Sequence, residues 1–247
     1  MIVRWVTGFL DTPGGAGGGP DPGVESFWQA VTGWGLSARR GGGAFATLLP
    51  GDGDACLRVQ VVGDSPARAH LDLHVDDVAA AAAEVAALGA TLVAAEDGLV
   101  VSRSPAGIVF CLVRWGGERR RPAPVRWPGG QSSVVDQLCL DLPGAVHDRE
   151  AGFWAAVTGW ERRSSDLPEF SWLERPAGLG LRLLLQRTGG EVAGVHVDLA
   201  CDDVDAEVER HVGWGAVVVR RVPGDWTTLR DPAGREYCVT GRSPLPA

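Results

Sequence analysis

The nine residues from His70 to Val78 read HLDLHVDDV, and they recur as HVDLACDDV from His196 to Val204, an offset of 126. The match extends both ways at that offset. Phe27-Trp28 returns as Phe153-Trp154, Gly33-Trp34 as Gly159-Trp160, Gln60 as Gln186, and Gly89-Ala90 as Gly215-Ala216. Past one inserted residue the offset is 127, so Ser104-Pro105-Ala106-Gly107 becomes Asp231-Pro232-Ala233-Gly234. Asp11 pairs with Asp141 at 130, the extra residues of the first copy lying in its glycine-rich stretch 14–19. A repeat of this length means one domain type used twice. The 247 residues then divide into domain one at 1–115, a linker at 116–131 and domain two at 132–247, each domain large enough to bury a core.

Composition narrows the function classes. The chain is 45% hydrophobic and 22% charged, as expected of a folded globular protein. Its net charge is −8 and it contains no lysine, a poor basis for nucleic-acid or anionic-membrane partners, which need basic patches. Arg119-Arg120-Arg121 lies beside Pro122 and Pro124 between the copies and reads as solvated linker. Five cysteines, at 56, 111, 139, 201 and 238, show no CxxC spacing, so free buried thiols in a reducing cytoplasm are expected. The start of the chain lacks the apolar run of a signal peptide. No apolar stretch approaches the roughly 20 residues of a membrane span.

Local patterning gives each copy the same order of elements. In the first, residues 2–10 alternate as a strand, 11–23 form a Gly/Pro loop, and 24–32 form a helix that Gly33 ends. Strands follow at 44–49 and 56–62. A strand at 70–75 leads to a helix capped by Asp76 or Asp77 and stopped at Gly89, then to strands at 91–95, 98–102 and 108–114. The second copy repeats this, with strands at 134–140, 170–174, 180–186, 194–200, 216–221, 225–229 and 235–240 and helices at 148–158 and 203–212. Each copy thus holds two βαβββ-like units.

Four motifs now support a resemblance: FWxAVTGW after the first strand, His-x-Asp-Leu before an Asp-capped helix, ALGA or GWGA at that helix's end, and (S/D)PAG before the last strand. The chain resembles the vicinal oxygen chelate superfamily, which includes glyoxalase I, bleomycin-resistance proteins and extradiol dioxygenases, and within it the glyoxalase-like branch. The resemblance implies an α+β fold of two tandem domains. Each would be a curled, mainly antiparallel sheet with helices outside and a ligand cavity within the curl.

In metal-dependent members of that superfamily, four side chains meet in the cavity, because a divalent ion there needs imidazole and oxygen donors with positions left open for substrate. His196 and His70 match the family histidine. Gln137 matches a first-strand ligand, whereas the first copy has Thr7 there. The last carboxylate position falls on Cys238 and Cys111, and the remaining position near Leu184 or Arg58. Glu236 lies two residues before Cys238, on the same strand face by alternation. Asp198 and Asp72 share a face with their histidines, and Trp172 lies on a strand able to line the cavity.

The expected function is therefore binding of a small organic molecule in an apolar, Trp-containing cup around His196, Asp198, Gln137, Trp172, Cys238, Glu236, His70 and Asp72. No cofactor and no conventional metal centre are expected. One alternative is a lyase, isomerase or dioxygenase with Zn, Ni, Fe or Mn on His196, Gln137 and Glu236. Another is a structural or interaction module with filled cavities. No GxSxG, Walker A, GxGxxG after a strand, or HExxH motif is present. The repeat allows pairing of the domains within the chain or in a homodimer.

Overall fold

The computed structural model describes residues 1–15, 18–63 and 66–245. The first copy runs β1 (Val3–Pro13), α1 (Pro22–Thr32), β2 (Gly35–Leu36), β3 (Phe45–Leu49), β4 (Leu57–Val62), β5 (Arg68–Val75), α2 (Val78–Ala87), β6 (Thr91–Glu96), β7 (Leu99–Arg103) and β8 (Val109–Arg114). After β9 (Val125–Arg126), the second runs β10 (Ser132–Pro143), α3 (His147–Thr158), β11 (Glu161–Ser164), β12 (Phe170–Glu174), β13 (Arg182–Thr188), β14 (Gly194–Cys201), α4 (Val204–Gly213), β15 (Val217–Val222), β16 (Trp226–Arg230) and β17 (Glu236–Thr240). One sheet has the order β2-β3-β4-β1-β5-β8-β7-β6 and the other β11-β12-β13-β10-β14-β17-β16-β15, with β9 on β10. Hairpin neighbours pair antiparallel, while β5 with β8 and β14 with β17 are parallel. The fold is α+β with two tandem domains, as the repeat implies.

The element ends follow from local chemistry. Asp21 caps α1 by accepting from Gly23 N, Pro22 occupies its first turn, and Gly33 closes it at φ 70°, a left-handed conformation that suits glycine. Asp77 and Asp203 cap α2 and α4, each accepting from the amide three residues on. Three short strands have no signature in the sequence. β2 is two residues long, β11 is the wholly polar and exposed ERRS, and β9 lies in the proline-rich 116–131 segment.

Two expectations are corrected. Strand β1 continues through Asp11 to Pro13 rather than yielding to loop at Asp11. The reason is tertiary: Asp11 is buried, its Oδ2 accepts from Arg68 Nε and its carbonyl from Arg235 Nη2. Residues 16 and 17 of the glycine-rich loop lie outside the described residues. Arg121, expected to be solvated, instead donates to the Pro244 carbonyl at 3.1 Å and lies 3.8 Å from Asp136. The turn at Gly53 admits this segment, since a Cβ there would collide with the Arg121 carbonyl.

The chain forms two compact units. One comprises Met1–Gly8, His70–Arg120 and Leu138–Val195; the other comprises Phe9–Ala69, Arg121–Gln137 and His196–Ala247. In the first, α3 buries Phe153 and Trp154 against Phe110 of β8, with ring centroids 6.0 and 5.2 Å away in edge-to-face geometry. In the second, α1 buries Phe27 and Trp28 against Tyr237 of β17 at 6.0 and 5.2 Å. Phe110 and Tyr237 are equivalent positions of the repeat.

The polar partners of the two buried tryptophans differ. Trp28 Nε1 donates to Asp231 Oδ2 at 2.9 Å, whereas Trp154 Nε1 donates to Glu150 Oε1 of its own helix at 2.9 Å. Where the second copy has Asp231, the first has Ser104; where the second has Glu150, the first has Val24. Each unit keeps one buried carboxylate for its tryptophan, supplied from opposite sides of the helix–loop contact.

Candidate ligand site

In the second copy the site begins with alternation along β14. His196 and Asp198 share one face, and Asp198 is 2% exposed. His196 Nε2 lies 3.2 Å from Asp198 Oδ1. Gln137, buried on β10, donates its side-chain amide to Asp198 Oδ2. The parallel pairing of β14 with β17 sets Asp198 directly across from Cys238. Cys238 Sγ is 3.6 Å from His196 Nε2 and 3.4 Å from Thr228 Oγ1 of β16. Asp198 Oδ1, though buried, receives no hydrogen bond.

The first copy repeats the arrangement on β5 and β8. His70, Asp72 and His74 alternate with the apolar Leu71, Leu73 and Val75, and all six are buried. The parallel register sets Asp72 opposite Cys111. His70 Nε2 is 3.6 Å from Asp72 Oδ1, and one nitrogen, oxygen and sulfur from His70, Asp72 and Cys111 all lie within 4.8 Å of one another. Asp72 Oδ1 also lacks a hydrogen bond. Burial pushes the Cys111 thiol up to about 11. Thr7, at the position of Gln137, hydrogen-bonds His74 Nε2 at 2.8 Å. The other ring nitrogen, Nδ1, is 3.7 Å from Glu118 Oε2, and the Glu118 carboxyl is held down at about 2, chiefly by His74.

The expected residues are thus brought together unevenly. His196, Asp198, Gln137 and Cys238 converge in one copy, and His70 and Asp72 join Cys111 in the other. Glu236 stands apart: it is exposed and pairs with Arg230 across the β16–β17 ladder at 2.9 Å. Trp172 is half-buried on β12, opposite Leu184. Sequence reasoning left out His74, Thr228 and Cys139, whose sulfur lies within 4.8 Å of ligand atoms of His196 and Asp198. His74 was within reach of it, since HLDLH places a second histidine on the face of the first; Thr228 becomes a neighbour of Cys238 only through the β16–β17 register.

With this geometry in hand, the fold can be placed. It is that of the vicinal oxygen chelate superfamily, α+β domains of paired βαβββ units in tandem. The family profile of the glyoxalase-like domain matches residues 21–113 and 137–240, and the chain belongs to that family. Among solved structures, the chain is similar in fold to many, including the following three enzymes. A triple mutant of 4-hydroxymandelate synthase from Streptomyces coelicolor is 14% identical with a TM-score of 0.60, over 98% of this chain and 93% of that one. The 2,3-dioxygenase LapB from Pseudomonas sp. KL28 is 14% identical with a TM-score of 0.63, over 96% and 92%. A variant of homoprotocatechuate 2,3-dioxygenase from Brevibacterium fuscum is 14% identical with a TM-score of 0.66, over 99% and 73%. No curated protein sequence matches the chain. Among the described residues, no helix is long and apolar enough to cross a membrane.

Proposed function

We propose that the second copy binds a small organic molecule bearing a hydroxyl or amide donor, at the group formed by His196, Asp198, Gln137 and Cys238. One observation carries this reading: the buried Asp198 Oδ1 that receives no hydrogen bond. A buried carboxylate oxygen without a donor costs free energy, of the order of 1–3 kcal/mol or more for a charged group. A ligand hydroxyl or amide that donates to this oxygen, beside its 3.2 Å contact with His196 Nε2, removes that cost and fixes the ligand's orientation. Gln137 occupies the other carboxylate oxygen and holds the group in one rotamer. The conventional metal centre of the superfamily lacks its last carboxylate here, because that position is Cys238 and Glu236 pairs with Arg230.

The test is calorimetric titration of the chain with a panel of small phenols, catechols and primary amides, repeated on Asp198→Asn and His196→Ala. Saturable one-site binding that falls at least about tenfold in both variants, the equivalent of about 1.4 kcal/mol, supports the reading. Equal affinity in the variants, or no binding from the panel, contradicts it.

A second reading, a metal-dependent lyase, isomerase or dioxygenase, draws on the grouping of His70, Asp72 and Cys111 within 4.8 Å. The donors do not fit an oxygenase-type iron site of two histidines and a carboxylate, since His74 spends its Nε2 on Thr7. They do fit an ion that accepts sulfur.

A further inference from the structure

We infer that the second copy carries a further binding site, a cleft beside the start of α4 that takes a short zwitterionic peptide by its charged ends. The cleft lies wholly within the second unit, and none of His196, Asp198, Gln137 or Cys238 lines it. It therefore stands apart from the organic-ligand reading.

Strand register builds the cleft. Along β16, Thr228 turns toward Cys238, so alternation turns Thr227 to the opposite face of the sheet. The antiparallel ladder sets Arg221 of β15 directly across from Thr227, and Arg221 Nη1 reaches Asp205 Oδ1 in the first turn of α4 at 2.9 Å. Thr227 is 2% exposed, yet its hydroxyl makes no hydrogen bond among the described residues. Buried hydroxyls normally have a partner. This one lines a cleft of about 1070 Å³, at the upper end of the roughly 300–1,000 Å³ usual for ligand pockets and roomy enough for a few residues of peptide.

Charge selects the guest. The lining holds three arginines, at 126, 221 and 242, and three aspartates, at 202, 203 and 205, a balance that favours neither a polyanion nor a bare cation. Arg242 is already held by both oxygens of Asp136. Arg126 makes no side-chain hydrogen bond or ion pair among the described residues. The Arg221–Asp205 pair is solvent-exposed, a kind weak enough for a ligand carboxylate to displace. A carboxylate can thus bind Arg221 and accept from Thr227 Oγ1. Asp202 and Asp203 each commit Oδ1, to Ser132 N at 2.7 Å and Ala206 N at 3.0 Å, and leave Oδ2 for an ammonium group. Gly224 and Gly241 leave main chain bare in the lining for the peptide's own amides, and Pro223 and Leu245 give a side chain an apolar wall.

The experiment is an NMR titration of the full chain with the dipeptide alanyl-leucine, then with its N-acetyl and C-terminal amide forms. Saturable shifts at the Val204, Gly224, Thr227 and Gly241 amides are expected, with affinity at least about tenfold weaker for each capped form. The capped peptides need no variant, so a misfolded variant cannot blur that result. Thr227→Val, which keeps the side chain's shape, and Arg221→Gln should each weaken the uncapped dipeptide about fivefold or more, whereas Asp198→Asn leaves its affinity unchanged. Absence of saturable shifts at those amides, equal affinity for either capped form, or loss of binding in Asp198→Asn would each overturn the inference.

Discussion

The exchange between Glu150 and Asp231 makes a sharp prediction, because each unit solves the same problem with a carboxylate at the position where the other has none. In the first unit Glu150 is 0% exposed; its Oε1 accepts from Trp154 Nε1 at 2.9 Å and its Oε2 from Ala106 N at 2.8 Å. In the second unit Asp231 does both jobs, taking Trp28 Nε1 at 2.9 Å and Ala233 N at 2.9 Å. Replacing Glu150 by valine, the residue at the equivalent Val24, strands two buried donors at about 1–3 kcal/mol each, so the loss should be about 2–5 kcal/mol. Ser104→Asp alone should also destabilise, since it places a second carboxylate against Glu150. Combined, the two changes recreate the Val24/Asp231 arrangement. The new aspartate can accept from Trp154 and Ala106, and like Asp231 with Arg235 N, it retains the acceptor that Ser104 Oγ gives Ile108 N. The sign of Ser104→Asp therefore reverses, from destabilising in the native background to restoring at least about 2 kcal/mol in Glu150→Val. Urea unfolding of the four proteins, with hydrogen exchange at the Ala106 amide as a local probe, measures the cycle. A loss below about 1 kcal/mol for Glu150→Val, or additive effects in the double variant, would refute the reasoning.

Two other outcomes follow from buried titrating groups. Burial favours a protonated Glu207, but hydrogen bonds from His211, Arg210 and Ser133 outweigh it and hold the carboxyl at about 2. A folded value below the unfolded one stabilises the fold above the ordinary carboxylate range and loses that stabilisation as pH falls toward 2. The melting temperature should therefore drop more steeply below about pH 4 in the native chain than in Glu207→Gln, and parallel profiles would contradict this. Burial raises the Cys111 and Cys201 thiols to about 11 and about 12. Their contribution to stability is complete below the ordinary thiol value and fades as pH rises above it. With all five cysteines buried and in no disulfide, the folded chain should resist alkylation near pH 8 and yield five reactive thiols only when unfolded. Rapid native labelling of Cys111 would contradict that.

Much of the fold was legible because the chain states it twice. The capped helices and the long alternating strands were readable from Asp77, Asp203, Gly33 and the HxDL motif, each of which acts over a few residues. What was not legible depends on partners far away in sequence. Strand β11, ERRS, has no apolar face and exists because β12 pairs with it. Asp11 remains in β1 because Arg68 and Arg235 reach it. The site divides along the same line. Alternation alone placed Asp198 beside His196 and Asp72 beside His70. Alternation also put Glu236 with Cys238, but Glu236 is the first residue of β17, where the ladder offers it Arg230 and solvent instead of the interior. The closeness of Cys111 to Asp72 needed the parallel register of two strands separated by a helix and a hairpin.

The central claim is that Asp198 is held ready for a ligand at a cost to the empty protein. Asp198→Asn tests it most directly, with unfolding free energy and ligand affinity measured on the same samples. An asparagine can still accept from Gln137, and it presents a neutral amide toward His196. The account predicts a chain more stable by about 1 kcal/mol that binds at least about tenfold more weakly. A variant that is less stable and binds equally well would show that Asp198 serves the fold and not a ligand.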